Sequence, residues 1–115
     1  MMSDLRYQPI HRIARDQLVR DLESDNPQTV ANALYAATRY EEDTAWVQSQ
    51  CLNKLTSPEV AVRWAAATCL GDLAFLRRPL NTSVVIPALE LAKEDLAIAD
   101  PASFSLNLVK QFLGS

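Results

Sequence analysis

Residues 57–73 read Ser57-Pro58-Glu59-Val60-Ala61-Val62-Arg63-Trp64-Ala65-Ala66-Ala67-Thr68-Cys69-Leu70-Gly71-Asp72-Leu73. Val62, Ala65, Ala66, Cys69, Leu70 and Leu73 recur at spacings of three and four, the signature of one helical face. The other side carries Val60, Trp64, Ala67, Gly71 and, beyond the stretch, Phe75, so this helix is apolar nearly all round. A helix of that kind sits between neighbours rather than at a surface. Its alanines and glycine allow other helices to come close, while Val and Leu fill the gaps. Ser57 ahead of Pro58 places a good N-cap residue before a residue suited to the first helical position, which predicts the helix start there.

The same punctuation recurs on both sides, at Asn26-Pro27 and Asp100-Pro101. After Pro27, Val30, Ala33, Leu34 and Ala37 form one face, and Gln28, Asn32, Tyr35 and Arg39 form the opposite, solvent-facing one. After Pro101, Phe104, Leu108, Val109, Phe112 and Leu113 make the apolar stripe, with Gly114 placed as a cap. Each of these helices has a partner just upstream. Residues 10–23 carry Ile10, Ile13, Ala14, Leu18 and Leu22; residues 43–55 carry Val47, Cys51 and Leu55; residues 84–97 carry Val85, Ile86, Leu89, Ala92 and Leu96, with Pro87 in the first turn. Six helices result, paired first with second, third with fourth and fifth with sixth, in a single domain over residues 1–115. Laying Pro58 on Pro101 also lays Leu70-Gly71 on Leu113-Gly114, an offset of 43 residues. That period lies in the range of roughly 40–47 typical of paired-helix repeats, and the shorter offset of the first unit suits an end repeat with one side in water.

Composition excludes much else. Only 2 of 115 residues are glycine, against 6 prolines, which removes Gly-rich phosphate loops, dinucleotide fingerprints and tight β-hairpins. The net charge of −3 is uneven: residues 21–60 hold two basic and seven acidic groups, whereas residues 1–20 hold four Arg and two Asp. An acidic middle argues against direct nucleic-acid binding, which needs clustered Lys and Arg, and favours a basic protein partner. No run of apolar residues approaches a membrane span and no signal peptide is visible, so a cytoplasmic protein away from membranes is expected. Cys51 and Cys69 fall in apolar-periodic segments and read as small core residues of a reducing compartment. With one histidine and two distant cysteines, neither a metal site nor a cofactor site is expected.

Catalysis has little to work with. His11 beside Arg12 reads as a solvated residue, and the acids Glu41-Glu42-Asp43 and Glu94-Asp95 sit where acids cap helices or face water. A non-enzymatic binding protein is the expectation. Tyr35 and Arg39 lie four residues apart on the exposed side of the second helix, next to the acidic run Glu41, Glu42 and Asp43. Trp46 lies about 100° around the third helix from the Val47 stripe, so its ring either packs on a neighbouring helix or shows at the surface. Tyr, Arg and Trp beside local negative charge form a candidate patch for a basic partner, the charges speeding encounter and the aromatics slowing release. Trp64 is expected to be inter-helix filler, and Arg77-Arg78-Pro79 a solvated loop.

The 57–73 stretch, with its Ser-Pro, Val-Arg, paired alanines and Leu-Gly, resembles the second helix of a HEAT repeat. The expected fold class is therefore all-α, a short α-solenoid of three HEAT-like helical hairpins. A narrower resemblance covers roughly residues 30–113. Asp43…Trp46-Val47-Gln48…Cys51-Leu52, then Ser57-Pro58…Val62-Arg63…Ala66…Cys69-Leu70-Gly71-Asp72-Leu73-Ala74, then Val85-Ile86-Pro87-Ala88-Leu89, is similar to small HEAT-like immunity proteins of bacterial contact-dependent growth inhibition and related polymorphic-toxin systems. That resemblance implies a cytoplasmic protein that binds and neutralises one cognate toxin domain. The alternatives are a HEAT-repeat adaptor that bridges proteins without inhibiting them and, more distantly, a small HEAT-like lyase that attaches bilin chromophores.

Overall fold

The computed structural model describes residues 13–113 and contains six helices: α1 (Arg15–Leu22), α2 (Pro27–Tyr40), α3 (Thr44–Lys54), α4 (Val60–Phe75), α5 (Thr82–Ala92) and α6 (Ala99–Phe112). There is no strand among the described residues. The helices pair as three hairpins, α1 with α2, α3 with α4 and α5 with α6, and the hairpins stack through their second members, α2 on α4 and α4 on α6. The body is elongated, 47 × 27 × 24 Å. This is the short all-α solenoid that the repeat spacing predicts. Ile10, His11, Arg12 and Gly114 lie outside the described residues.

Local chemistry sets the helix starts. Asn26 caps α2, its side-chain oxygen accepting from the backbone N–H of Gln28 at 2.9 Å and of Thr29 at 3.3 Å, with Pro27 as the first helical residue. Asp43 caps α3 by accepting from Trp46 N–H at 3.1 Å. The other two proline signals need correction. Ser57 Oγ accepts from Glu59 N–H at 3.2 Å and closes a turn, so α4 begins two residues later, with the Glu59 carbonyl taking the first helical bond, from Arg63 N–H. Asp100-Pro101 falls inside the first turn of α6. Asp95 starts a tight turn, its side chain accepting from Ala97 N–H and its carbonyl from Ile98 N–H, and Ile98 then becomes the N-cap. Pro101 is tolerated because first-turn N–H groups have no intrahelical acceptor. α5 begins at Thr82, earlier than its periodicity indicates, which leaves Pro87 in the helix interior. Leu96 lies in the turn after α5 and is 92% exposed, off the stripe expected to bury it.

The core follows the stacking. Ala65, Ala66, Ala67, Leu70, Leu73 and Ala74 of α4 are fully buried, as are Leu34 and Ala37 of α2 and Ala102 and Val109 of α6, the two helices that pack most extensively on α4. Gly71 is not a helix end, as its spacing to Gly114 suggests, but lies within α4 where α6 crosses. A Cβ there would stand 2.8 Å from the Cα of Ser105, so only glycine admits this approach. Ser105 Oγ seals the crossing by donating to the Ala67 carbonyl at 2.6 Å. The left-handed turn that a glycine would ordinarily take falls instead to Arg77, at φ 61°. Arg77 N–H donates to Ala74 O and Arg78 N–H to Leu73 O, the paired bonds of a Schellman motif that ends α4. Cys51 and Cys69 are both buried and unoxidised, and hydrogen bonding to Cys69 together with burial pushes the Cys51 thiol well above its usual range.

Candidate partner-binding surface

The turn between α2 and α3 carries the acidic run and is built from three directions. α2 stops at Tyr40 with its last carbonyls open, and Arg78 supplies their partner: Nη1 donates to Thr38 O at 3.1 Å, Nη2 to Glu41 O, and Nε to Thr44 Oγ1 at 2.8 Å. A guanidinium suits this position because the end of a helix is partially negative. Arg78 is thus a half-buried clamp between the second hairpin and the α2–α3 turn, not the solvated loop residue expected from its neighbours. The Schellman turn at Arg77 aims it there.

Arg15 comes from the first helix. Its Nη1 lies 3.2 Å from Glu41 Oε2, its Nη2 lies 3.6 Å from Asp43 Oδ2, and its Cζ sits 3.9 Å from the centre of the Trp46 ring. Glu41 Oε2 also accepts from Asp43 N–H at 3.3 Å, and the Glu41 side chain is only 16% exposed. Two of the three acids therefore have internal duties, and Trp46 is half-buried with Arg15 over one face. Glu42 is exposed, and the Asp43 side chain keeps 52% exposure despite its contacts.

Tyr35 and Arg39 belong to a different neighbourhood. They face α4, where Arg39, Asp72, Phe75 and Leu76 line a pocket of about 320 Å³. Arg39 is exposed at its rim, whereas Tyr35 and Asp72 are half-buried. Burial, and secondarily the neighbouring Cys69 and Asp72, raises the Tyr35 phenol above its ordinary value. Burial likewise raises the Asp72 carboxyl, with Arg39 opposing. The six expected patch residues are therefore divided between an α1–α3 cluster (Glu41, Glu42, Asp43, Trp46) and the side of α2 that faces α4, where Arg39 lines the pocket and Tyr35 lies near Asp72.

The periodicity of α4 hides what lies beside that pocket. Trp64, expected to be filler, is 43% exposed; Phe75 is 60% exposed, and Phe104, expected on the packing stripe of α6, is 67% exposed. With α2, α3 and α6 packed against it, α4 keeps one stripe facing outward, and Trp64 and Phe75 stand three turns apart on it. Phe75 meets Phe112 of α6 edge to face at 5.8 Å, and Arg77 lies 4.7 Å over the Phe112 ring. Phe75 and Phe112 thus form an aromatic pair between the C-terminal ends of α4 and α6. The clue available in the sequence is that α4 carries more apolar residues than three neighbours can cover.

A larger groove, about 490 Å³, runs between α3 and α5 and is lined by Leu52, Leu55, Ala88, Leu91 and Ile98. Its charged groups are already satisfied. Arg63 Nε pairs with Asp95 at 2.9 Å, and its Nη1 donates to Ser57 O. Among the described residues no three His, Cys, Asp or Glu side chains are placed to hold a metal ion, and no helix is long and apolar enough to cross a membrane.

Against known proteins, neither a family model nor a curated protein matches the sequence. Among solved structures, the fold matches a chain in the crystal structure of a CDI complex from Cupriavidus taiwanensis LMG 19424, with a TM-score of 0.81 and 29% identity. The chain resembles a component of a CDI complex. The match takes in 95% of this chain and 98% of that one, so it extends over the whole hairpin stack and not over a single shared hairpin. This agrees with the resemblance read from residues 30–113.

Proposed function

We propose that this chain is an immunity protein of contact-dependent growth inhibition, one that binds a cognate toxin domain and neutralises it without itself catalysing a reaction. The observation that carries the reading is the end-to-end likeness to a chain of a CDI complex. Three further features support it. The protein is acidic, with a net charge of −3, and a toxin that works on nucleic acid is basic. Its chemically distinctive residues lie on surfaces rather than in a closed cleft. A stack of HEAT-like hairpins offers a broad, pre-formed face, which lowers the ordering cost of binding.

In this reading the contact surface runs from Tyr35 and Arg39 to the acidic edge of Glu41, Glu42 and Asp43 and to Trp46. Glu42 reaches outward, while Arg15 holds Glu41, Asp43 and Trp46 in place. Neutralisation is steric and electrostatic: the acidic, aromatic edge covers a basic cleft on the toxin in the cytoplasm. The test is co-expression with the toxin domain carried by the reading frame immediately upstream. Restored growth and co-purification of the pair are expected. Growth arrest that persists with this chain abundant and folded overturns the reading and leaves the adaptor alternative.

A further inference from the structure

Asp72 is a carboxylate that the fold itself does not use. It is half-buried in α4 beside Tyr35 and Phe75, and among the described residues it has neither a hydrogen bond nor an ion pair. Several other half-buried charges are engaged: Arg63 with Asp95, Arg78 with the end of α2, and Glu41 with Arg15. Arg39 acts on it without forming an ion pair; a carboxylate partly withdrawn from water without a direct partner lowers stability, so its presence in an open pocket points outward.

We propose that the pocket between α2 and α4 receives an arginine side chain of the toxin domain, with Asp72 as its anion and Phe75 as its aromatic wall. The proposal rests on the immunity reading above and specifies the chemistry of its contact. Charge and shape choose the occupant. A recessed anion whose neighbouring cation, Arg39, makes no ion pair with it calls for a closer cation, and the ring beside it favours the planar, weakly hydrated guanidinium over an ammonium. The pocket opens beside the aromatic pair of α4 and α6, so an entering side chain would be surrounded by contacts with Phe75, Leu76 and, further along, Phe112. Arg39 does not block it: the guanidinium lies at the exposed rim, beyond ion-pair distance of Asp72, on a long side chain that can turn into water. Asp72, on a helix wedged between two others, is fixed. Recessed, desolvated positions ringed by apolar contacts are where single residues dominate binding.

The test measures binding of this chain to the toxin domain of the upstream reading frame, the toxin being purified from the co-expressed pair by denaturation and refolded. Asp72→Asn keeps the shape and removes the charge; Phe75→Ala removes a wall; Leu91→Ala, on the opposite layer, is the control. Asp72→Asn should weaken binding by about 30-fold or more, mostly through faster dissociation, and Phe75→Ala by about 10-fold, with Leu91→Ala unchanged and all three variants folded. Wild-type binding that neither pocket variant alters overturns the pocket and leaves the immunity reading intact. Loss with Phe75→Ala alone overturns the cation and makes the occupant apolar. No binding by the wild-type chain overturns the immunity reading itself.

Discussion

Replacing Gly71 with alanine should destabilise the protein even though alanine is the better helix former. In a helix interior the exchange by itself favours the folded state by about 0.8–1.0 kcal/mol. Against this stands the crossing with α6. The new methyl would lie 2.3 Å from Ser105 Oγ, 2.7 Å from its Cβ and 2.8 Å from its Cα. The hydroxyl can rotate away, at the cost of its bond to the Ala67 carbonyl, about 1 kcal/mol. The Cβ and Cα belong to the frame of α6 and cannot. Ordinary carbon contact at about 3.5 Å or more then requires α4 and α6 to part by well over half an ångström, and a gap of that order forfeits a quarter to a half of each dispersion contact across the interface. Overpacking of this kind costs about 1–3 kcal/mol. Because the closest fixed atoms are backbone, the upper end applies, and the balance is a loss of about 2–3 kcal/mol. At roughly 4–8 °C per kcal/mol the midpoint should fall by about 10–20 °C. Thermal and urea unfolding followed by circular dichroism measure this. Adding Ser105→Gly to Gly71→Ala should restore part of the loss, since it removes two of the three close atoms and leaves the Cα. A Gly71→Ala protein that melts at or above the wild type refutes the reasoning, because propensity would then outweigh the crossing.

Arg78→Ala removes three hydrogen bonds from a charged donor and should cost about 2–3 kcal/mol, with faster amide exchange in the first turn of α3; Lys at this position, a point charge without the fork, should recover less than half. Arg15→Ala should change stability by less than about 1 kcal/mol, shift Trp46 emission to the red and, by leaving Glu41 and Asp43 unneutralised, speed association with the toxin domain at low salt. Unchanged association places the acidic turn outside the partner's field. Asp72→Asn should raise the melting temperature at pH 7. Burial lifts the folded-state pKa of Asp72 above its ordinary value of 3.8, so the native state favours the protonated form and wild-type stability falls as pH rises through that raised value. The advantage of Asn should vanish below about pH 3.8, where Asp72 is neutral in both states; an advantage that persists there is not electrostatic.

Much of the fold was legible because it is local. Asn26-Pro27 and Asp43 cap their helices within three residues of themselves, and Val30, Ala33, Leu34 and Ala37 bury as their spacing requires. Errors arose where a local signal had a competitor. Ser57 serves a turn instead of a cap, Asp95 starts the chain toward α6 ahead of Asp100-Pro101, and Leu96 follows the chain out of α5 into solvent. The candidate site was less legible than the fold. Spacing groups Tyr35, Arg39, the acidic run and Trp46 as one candidate patch, and it shows neither their division into two neighbourhoods nor the place of Asp72 and Phe75 beside Arg39.

By itself, the sequence determined six helices, their pairing into hairpins and the small-residue face on α4, since helical period, capping and residue volume act over a few residues. Only the tertiary structure decided which side of α4 stays open. That depends on where α2 and α6 come to rest, and it turns Trp64, Phe75 and Phe104 from expected filler into surface. Only the tertiary structure, too, decided which charges remain available. Arg15 reaches Glu41 across 26 positions and Arg78 reaches Thr38 across 40, so pairing absorbs part of the acidic turn, while Asp72 has Arg39 as a neighbour but no ion pair.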